Sequence, residues 1–67
     1  MSYQVLVCYY DTRAGVWRSP TYEKEEADKA RQCYAEEASR MWKGGIRGVY
    51  LTLDGIVVAQ SQHEEQL

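Results

Sequence analysis

The sequence is poor in the residue types that mark several common protein classes. Its two cysteines, Cys8 and Cys33, are too few for the disulfide framework of a small secreted protein. A single histidine, His63, together with two separated cysteines leaves no ligand set for a zinc site. We therefore expect buried thiols, a reducing cytoplasmic location, and neither a metal nor any other cofactor.

Long apolar runs and an excess of positive charge are also missing. No stretch approaches the roughly 20 apolar residues of a membrane-spanning helix, so no membrane association is expected. The net charge of −2 differs from the basic excess that is typical of nucleic-acid-binding domains. Sixty-seven residues with 45% hydrophobic content predict one small domain over residues 1–61, followed by a flexible polar tail over 62–67.

The sequence also lacks the patterns of catalysis. His63 lies in the polar tail, and no set of nucleophile, base and orienting group can be assembled around it. Cys8 lies among apolar residues, which do not lower the pKa of a thiol. We expect a protein that is not an enzyme.

What the chain does contain is YQVLVCYY, an eight-residue run over 3–10 that is apolar on both of its alternating faces. Read as a strand, it places Val5 and Val7 on one face. The other face carries Leu6, Cys8 and Tyr10. A strand that is apolar on both faces is typically buried against another element on each face. The rest of the chain predicts only one helix that could cover it. A protein partner or a second copy of the chain would supply the missing cover.

The central part of the sequence predicts a turn, a short strand and one helix. DTRAG over 11–15 is the turn, and Pro20 ends or edges the following strand because it has no amide donor. From about Lys24 the apolar residues follow helical spacing. The stripe consists of Ala27, Ala30, Tyr34, Ala38 and Met41. The pair Gly44 and Gly45 then ends the helix.

The clearest local signal is Asp54-Gly55 between two apolar runs, which predicts a hairpin with a two-residue turn. In the register predicted from this turn, Leu51 faces Val58 and Tyr50 faces Ala59. The hairpin face expected to meet the helix carries Val49, Leu51, Leu53, Ile56 and Val58.

A helical crossover, expected to be right-handed, joins the second strand to the third and leaves these two strands parallel in direction. The first strand then fits between them, antiparallel to both. The predicted fold class is α+β. Its expected architecture is a four-stranded antiparallel sheet of ββαββ chain order and strand order 2-1-3-4, with one helix packed on one face.

The sheet face away from the helix is the candidate protein-binding site. Its candidate residues are Leu6, Cys8, Tyr10, Trp17, Tyr50, Thr52 and Val57. Val16 takes the place of Trp17 if the first hairpin adopts the other register. Tyrosine and tryptophan are enriched at interface hot spots. Exposed apolar side chains are also common on sheets that bind nothing. The alternative is therefore that this face has no binding partner.

A second candidate site is a basic pole near the first turn. It consists of Arg13, Arg40, Lys43 and Arg47. A few such cations can hold a phosphate backbone, which would suit a nucleic-acid-associated module. The alternative interpretation is ordinary charge that complements the helix dipole.

The layout of the chain resembles small ββαββ proteins encoded by bacteriophages and mobile elements, including some anti-CRISPR inhibitors. The resembling segments are YQVLVCYYD, YEKEEADKA and VYLTLDGIVVA. This resemblance implies a stoichiometric accessory protein that occupies a host protein through an exposed surface. We therefore expect a non-catalytic protein-binding module that acts on a protein partner or as a homodimer. A nucleic-acid-associated module and a structural subunit of a larger assembly are the alternatives.

Overall fold

The structure, a computed structural model, describes residues 1–41 and 44–62. Its elements in chain order are strands β1 (Ser2–Tyr9), β2 (Val16–Arg18) and β3 (Tyr22–Glu23), helix α1 (Ala27–Ser39), and strands β4 (Ile46–Leu53) and β5 (Ile56–Gln62). Short 3-10 helices at Thr12–Ala14 and Lys24–Glu26 precede β2 and α1. None of the helices in the described ranges is long and apolar enough to cross a membrane. The predicted tail over 62–67 begins within β5, and its residues 63–67 lie outside the described ranges.

The strands form one antiparallel sheet in the order β2-β1-β4-β5, and β3 pairs with β1 as a fifth strand. The predicted α+β class, with one α-helix and an antiparallel sheet, is confirmed. The predicted count of four strands is wrong, because the edge beside β1 consists of two separate strands.

The additional strand arises at Pro20, where the edge of the sheet is interrupted. β2 ends at Arg18, and β3 begins at Tyr22 on the same side of β1. Between them, the Ser19 amide donates to the Val5 carbonyl and the Val5 amide donates to Ser19 Oγ, both at 2.9 Å. The Ser19 side chain thus supplies an acceptor beside the proline, where regular strand pairing stops.

Helix α1 lies on one face of the sheet and contacts β1, β3 and β4. The buried core is made of Val5, Val7, Ala30, Met41, Ile46, Val49 and Leu51. Ala30 is fully buried, and its small side chain allows α1 to approach the sheet closely. Cys33 and Tyr34 pack against this core from the same helix. The predicted helical stripe therefore faces the sheet.

The last hairpin has the predicted two-residue turn. Leu53 pairs with Ile56, and Asp54 and Gly55 have φ values of +51° and +84°. Positive φ at both central residues is the geometry of a type I′ turn, which Asp-Gly adopts readily.

The register predicted from this turn holds through the pair of Thr52 and Val57 and is wrong beyond it. Leu51 pairs with Ala59 and Tyr50 pairs with Gln60, because the register shifts between Leu51 and Thr52. Such a β-bulge places an extra residue in β5 and moves every later side chain to the other face. Ala59, predicted to lie away from the helix, therefore packs against the core instead.

Candidate binding surfaces

The sheet face opposite α1, here called the open face, collects side chains from four strands. The pairing register places there Gln4, Leu6, Cys8, Val16, Arg18, Gly48, Tyr50, Thr52, Val57, Gln60 and Gln62. Val57 and Val16 are 47% and 45% exposed, and Leu6, Cys8 and Tyr50 are half-buried. Five of the seven predicted protein-binding residues therefore share this face: Leu6, Cys8, Tyr50, Thr52 and Val57.

The ring of Tyr50 lies over Gly48 at the centre of the open face. A Cβ atom on Gly48 would lie 2.8 Å from the Tyr50 hydroxyl oxygen and 3.1 Å from two carbons of its ring. Gln62 Nε2 also donates to this hydroxyl at 3.4 Å. The missing side chain at Gly48 thus leaves room for an aromatic ring that is already held in place on the sheet.

Thr52 belongs to the open face but is itself buried, with 6% of its surface exposed. Its hydroxyl donates to the Gln4 carbonyl on the neighbouring strand at 3.0 Å. The Gln4 side-chain amide in turn donates to the Ser19 carbonyl at 2.9 Å. Thr52 therefore contributes to the structure of the face and offers little surface to a partner.

Trp17 does not lie on the open face, so its predicted place there is wrong. It pairs with Val7, whose side chain points toward the helix, and cross-strand partners share a face. The neighbouring Val16 pairs with Cys8 and takes the open-face position instead. The turn sequence alone did not decide between these two registers.

Tyr10 follows the last residue of β1, at the end of the sheet that carries the first turn. Its backbone amide donates to the Gly45 carbonyl at 3.0 Å, and its side chain is exposed. Tyr10 thus stands at the end of the sheet, next to the open face rather than within its paired strands.

The residues of the predicted basic pole do not form a surface free of acidic side chains. Arg13 Nε lies 3.3 Å from Asp11 Oδ1, and Arg40 Nη1 lies 3.2 Å from Glu37 Oε2. Arg47 is exposed in β4, and Lys43 lies outside the described ranges. Exposed ion pairs of this kind add little stability, but they reduce the positive potential that a phosphate backbone would meet.

Both cysteines are free and half-buried, where buried thiols were predicted. Burial raises the pKa of the Cys33 thiol, and a side-chain hydrogen bond with Tyr22 partly opposes that shift. Burial is also the main cause of a raised pKa at Tyr22. A raised thiol pKa lowers the thiolate fraction, so this environment does not prepare Cys33 as a nucleophile.

The sequence pattern did not predict a second apolar surface on the helix side of the sheet. A groove of about 500 Å³ runs between α1 and the β4–β5 hairpin. Its lining residues are Tyr3, Arg31, Tyr34, Leu51, Leu53, Val58 and Ala59. At β5, the Tyr34 and Ser61 hydroxyl oxygens lie 2.7 Å apart.

This groove exists because α1 packs mainly against β1 and β4 and reaches β5 only in part, as at the Tyr34–Ser61 contact. Ile56 and Val58, predicted to lie beneath the helix, are 69% and 51% exposed. A helix is about 10–12 Å wide and neighbouring strands lie about 4.8 Å apart, so one helix over β1 and β4 leaves β5 at its side. The prediction of one helix over a four-stranded sheet was the available sequence signal for an uncovered region.

The described residues offer few groups for metal or acid–base chemistry. Within residues 1–41 and 44–62, no three His, Cys, Asp or Glu side chains are arranged as metal ligands. Every buried side-chain nitrogen or oxygen in these ranges has a hydrogen-bond partner. Comparisons with protein families, curated proteins and solved structures find no significant match to this chain.

Proposed function

We propose that this chain is a non-catalytic protein-binding module that contacts a protein partner, or a second copy of itself, through the open face. One observation carries the proposal. Apolar side chains of β1, β2 and β5 share this face with Tyr50 of β4, while α1 packs against the other face. Removing this apolar surface from water would favour association.

The arrangement of polar groups supports the same proposal. Gln4, Arg18, Gln60 and Gln62 share the open face with Leu6, Cys8, Val16, Tyr50 and Val57. Protein interfaces combine an apolar centre with polar groups that direct the contact in this way. Because the Tyr50 ring is already held over Gly48, its immobilisation would cost less entropy on binding.

A sheet surface of this kind suits a second sheet surface as its partner. Two sheets pack face to face about 10 Å apart, and a twofold axis would bring the open faces of two copies together. The resemblance to phage-encoded ββαββ proteins extends the proposal to a cytoplasmic host protein that would be bound stoichiometrically. In either case the same face is buried.

The proposal can be tested with Tyr50→Ser and a matched control, Trp17→Ser, which removes an exposed aromatic ring from the opposite face. Tyr50→Ser should weaken self-association or partner retention much more than it lowers the free energy of unfolding. Trp17→Ser should leave association unchanged. Equal effects of the two substitutions on association would contradict the proposal.

The alternatives are a nucleic-acid-associated module that uses the basic pole and a structural subunit of a larger assembly. The pairing of Arg13 and Arg40 with carboxylates gives the first of these less support than the open face has. A salt-dependent shift of a labelled oligonucleotide that is lost in Arg47→Gln would support it. The absence of any shift at low salt would rule it out.

A further inference from the structure

The groove between α1 and the β4–β5 hairpin combines an apolar floor with three polar side chains that can donate hydrogen bonds. The floor consists of Leu51, Leu53, Val58 and Ala59, and the polar side chains are Arg31, Tyr3 and Tyr34. The volume of about 500 Å³ falls within the range of small-molecule sites, which span roughly 300–1,000 Å³. Such sites are mostly apolar, with a few polar groups that fix the orientation of the ligand.

The polar groups of the groove are suited to an acceptor with negative charge. Arg31 carries a guanidinium group with several N–H donors and no acceptor. Tyr34 and Ser61 share one hydrogen bond, which uses only one of their two hydroxyl protons. When Ser61 is the donor, the Tyr34 hydroxyl proton is available to an acceptor bound in the groove.

Arg31 is only weakly engaged within the protein. Its Nη1 lies 3.6 Å from Asp28 Oδ1, which is longer than the usual distance for a hydrogen bond between an arginine and a carboxylate. The Asp28 side chain is fully exposed, so the contact is screened by water. A carboxylate that approaches over the apolar floor would therefore compete with Asp28 for Arg31.

We infer that this groove binds a small amphipathic carboxylate. The alkyl or aryl body of the ligand would cover Leu53, Val58 and Ala59, and its carboxylate would accept hydrogen bonds from Arg31. An ammonium group would be repelled by Arg31, and a neutral alcohol would offer Arg31 one uncharged acceptor in place of a bidentate carboxylate. The site lies on the helix side of the sheet, so it does not depend on the proposed function of the open face.

The probes for this inference are octanoate, octanol and octylamine, which share an alkyl chain and differ in charge. Titration of the isotope-labelled protein, followed by amide chemical shifts, locates and measures the binding. Octanoate should shift the amides of Arg31, Leu53 and Ala59 and bind about five- to tenfold more tightly than octanol. Octylamine should bind more weakly than octanol.

Three variants distinguish recognition of the carboxylate from nonspecific hydrophobic binding. Arg31→Gln should abolish the preference for octanoate over octanol without changing octanol binding. Asp28→Asn should increase octanoate affinity about twofold, because it removes the competing carboxylate. Arg13→Gln is the control, since this arginine lies outside the groove, and it should change nothing.

Several results would overturn the inference. These are equal affinities for octanoate and octanol, an unchanged preference in Arg31→Gln, or shifts confined to open-face amides such as those of Leu6 and Tyr50. A second copy in the groove would also overturn it, and concentration-dependent shifts of groove amides without ligand would reveal that occupant. Because Arg31 and Asp28 are exposed, their substitution leaves the buried core intact.

Discussion

The centre of the sheet and its two edges carry similar side chains but differ in burial. Val5 in β1 and Val49 in β4 are fully buried, whereas Val16 in β2 and Val58 in β5 are about half exposed. All four are valines in antiparallel strands, so residue type does not account for the difference. Helix α1 packs against the face of β1 and β4 that carries Val5 and Val49, whereas Val16 lies on the open face and Val58 is the bulge residue of the edge strand β5.

Both edges carry a break in regular pairing along their length, whereas the register shift between β1 and β4 lies at the end of β1, between Cys8 and Tyr9. Pro20 separates β2 from β3, and the bulge near Val58 displaces the register of β5. Both features discourage edge-to-edge pairing with other strands. The comparison therefore favours the open face over the edges as the surface that a protein partner would contact.

The largest expected effect comes from removing the same atoms at the centre and at an edge. Val49→Ala should lower the free energy of unfolding by about 2–3 kcal/mol, because it removes buried methyl groups and leaves a cavity. Val58→Ala should lower it by less than about 0.5 kcal/mol. Urea denaturation of both variants measures the difference, and similar losses would show that β5 is covered in solution.

The contact between the interrupted edge and the central strand β1 can be tested at Ser19, which is hydrogen-bonded to Val5. Ser19→Ala leaves the buried Val5 amide without its acceptor, which should cost about 1–3 kcal/mol of stability. Ser39→Ala is the control, because the Ser39 hydroxyl donates to the Glu36 carbonyl on the exposed side of α1. That control should change stability by less than about 0.5 kcal/mol. A neutral Ser19→Ala variant would mean that the interrupted edge does not depend on this contact.

A smaller effect is expected where α1 reaches β5. Tyr34→Phe removes the hydrogen bond with Ser61 and should cost about 0.5–1.5 kcal/mol. Ser61→Ala should have a similar effect, and the double variant should cost less than the sum of the two. Additive losses in this double-mutant cycle would show that the two hydroxyls do not interact.

The smallest effect is a dependence of stability on pH at the contact between α1 and β3. Burial raises the pKa values of Cys33 and Tyr22 above their ordinary values of 9.0 and 10.0. Their contribution to stability is therefore complete below about pH 9 and is lost as pH rises through the higher pKa values of the folded protein. Urea denaturation at increasing alkaline pH measures this loss, and Cys33→Ala should reduce it. An unchanged pH dependence in Cys33→Ala would exclude Cys33 as its cause.

Local sequence chemistry predicted the parts of the fold that depend on neighbouring residues. Asp54-Gly55 specified the turn geometry, and the spacing of Ala30 and Met41 identified the buried side of the helix. The apolar faces of β1 indicated its central position, which the sheet order reproduces. These features require only short-range conformational preferences and the alternation of side chains.

Features that depend on tertiary placement were not predicted. The bulge in β5 moved Ala59 toward the helix, and the first hairpin placed Trp17 rather than Val16 on the helix side. The burial of Thr52 depends on its contact with Gln4 in another strand. The groove likewise depends on where α1 lies across the sheet, which no local pattern specifies.

The most direct test of the open face as a binding surface is the solution mass over a concentration series, measured by sedimentation for the unmodified chain, Tyr50→Ser and Trp17→Ser. The mass of the unmodified chain and of Trp17→Ser should rise from 7.8 kDa toward twice that value. Tyr50→Ser should remain near the monomer mass. Equal self-association of all three proteins would contradict the account. A second contradicting result combines two observations. The unmodified chain would remain a monomer at every concentration, and it would retain no protein partner that Tyr50→Ser fails to retain.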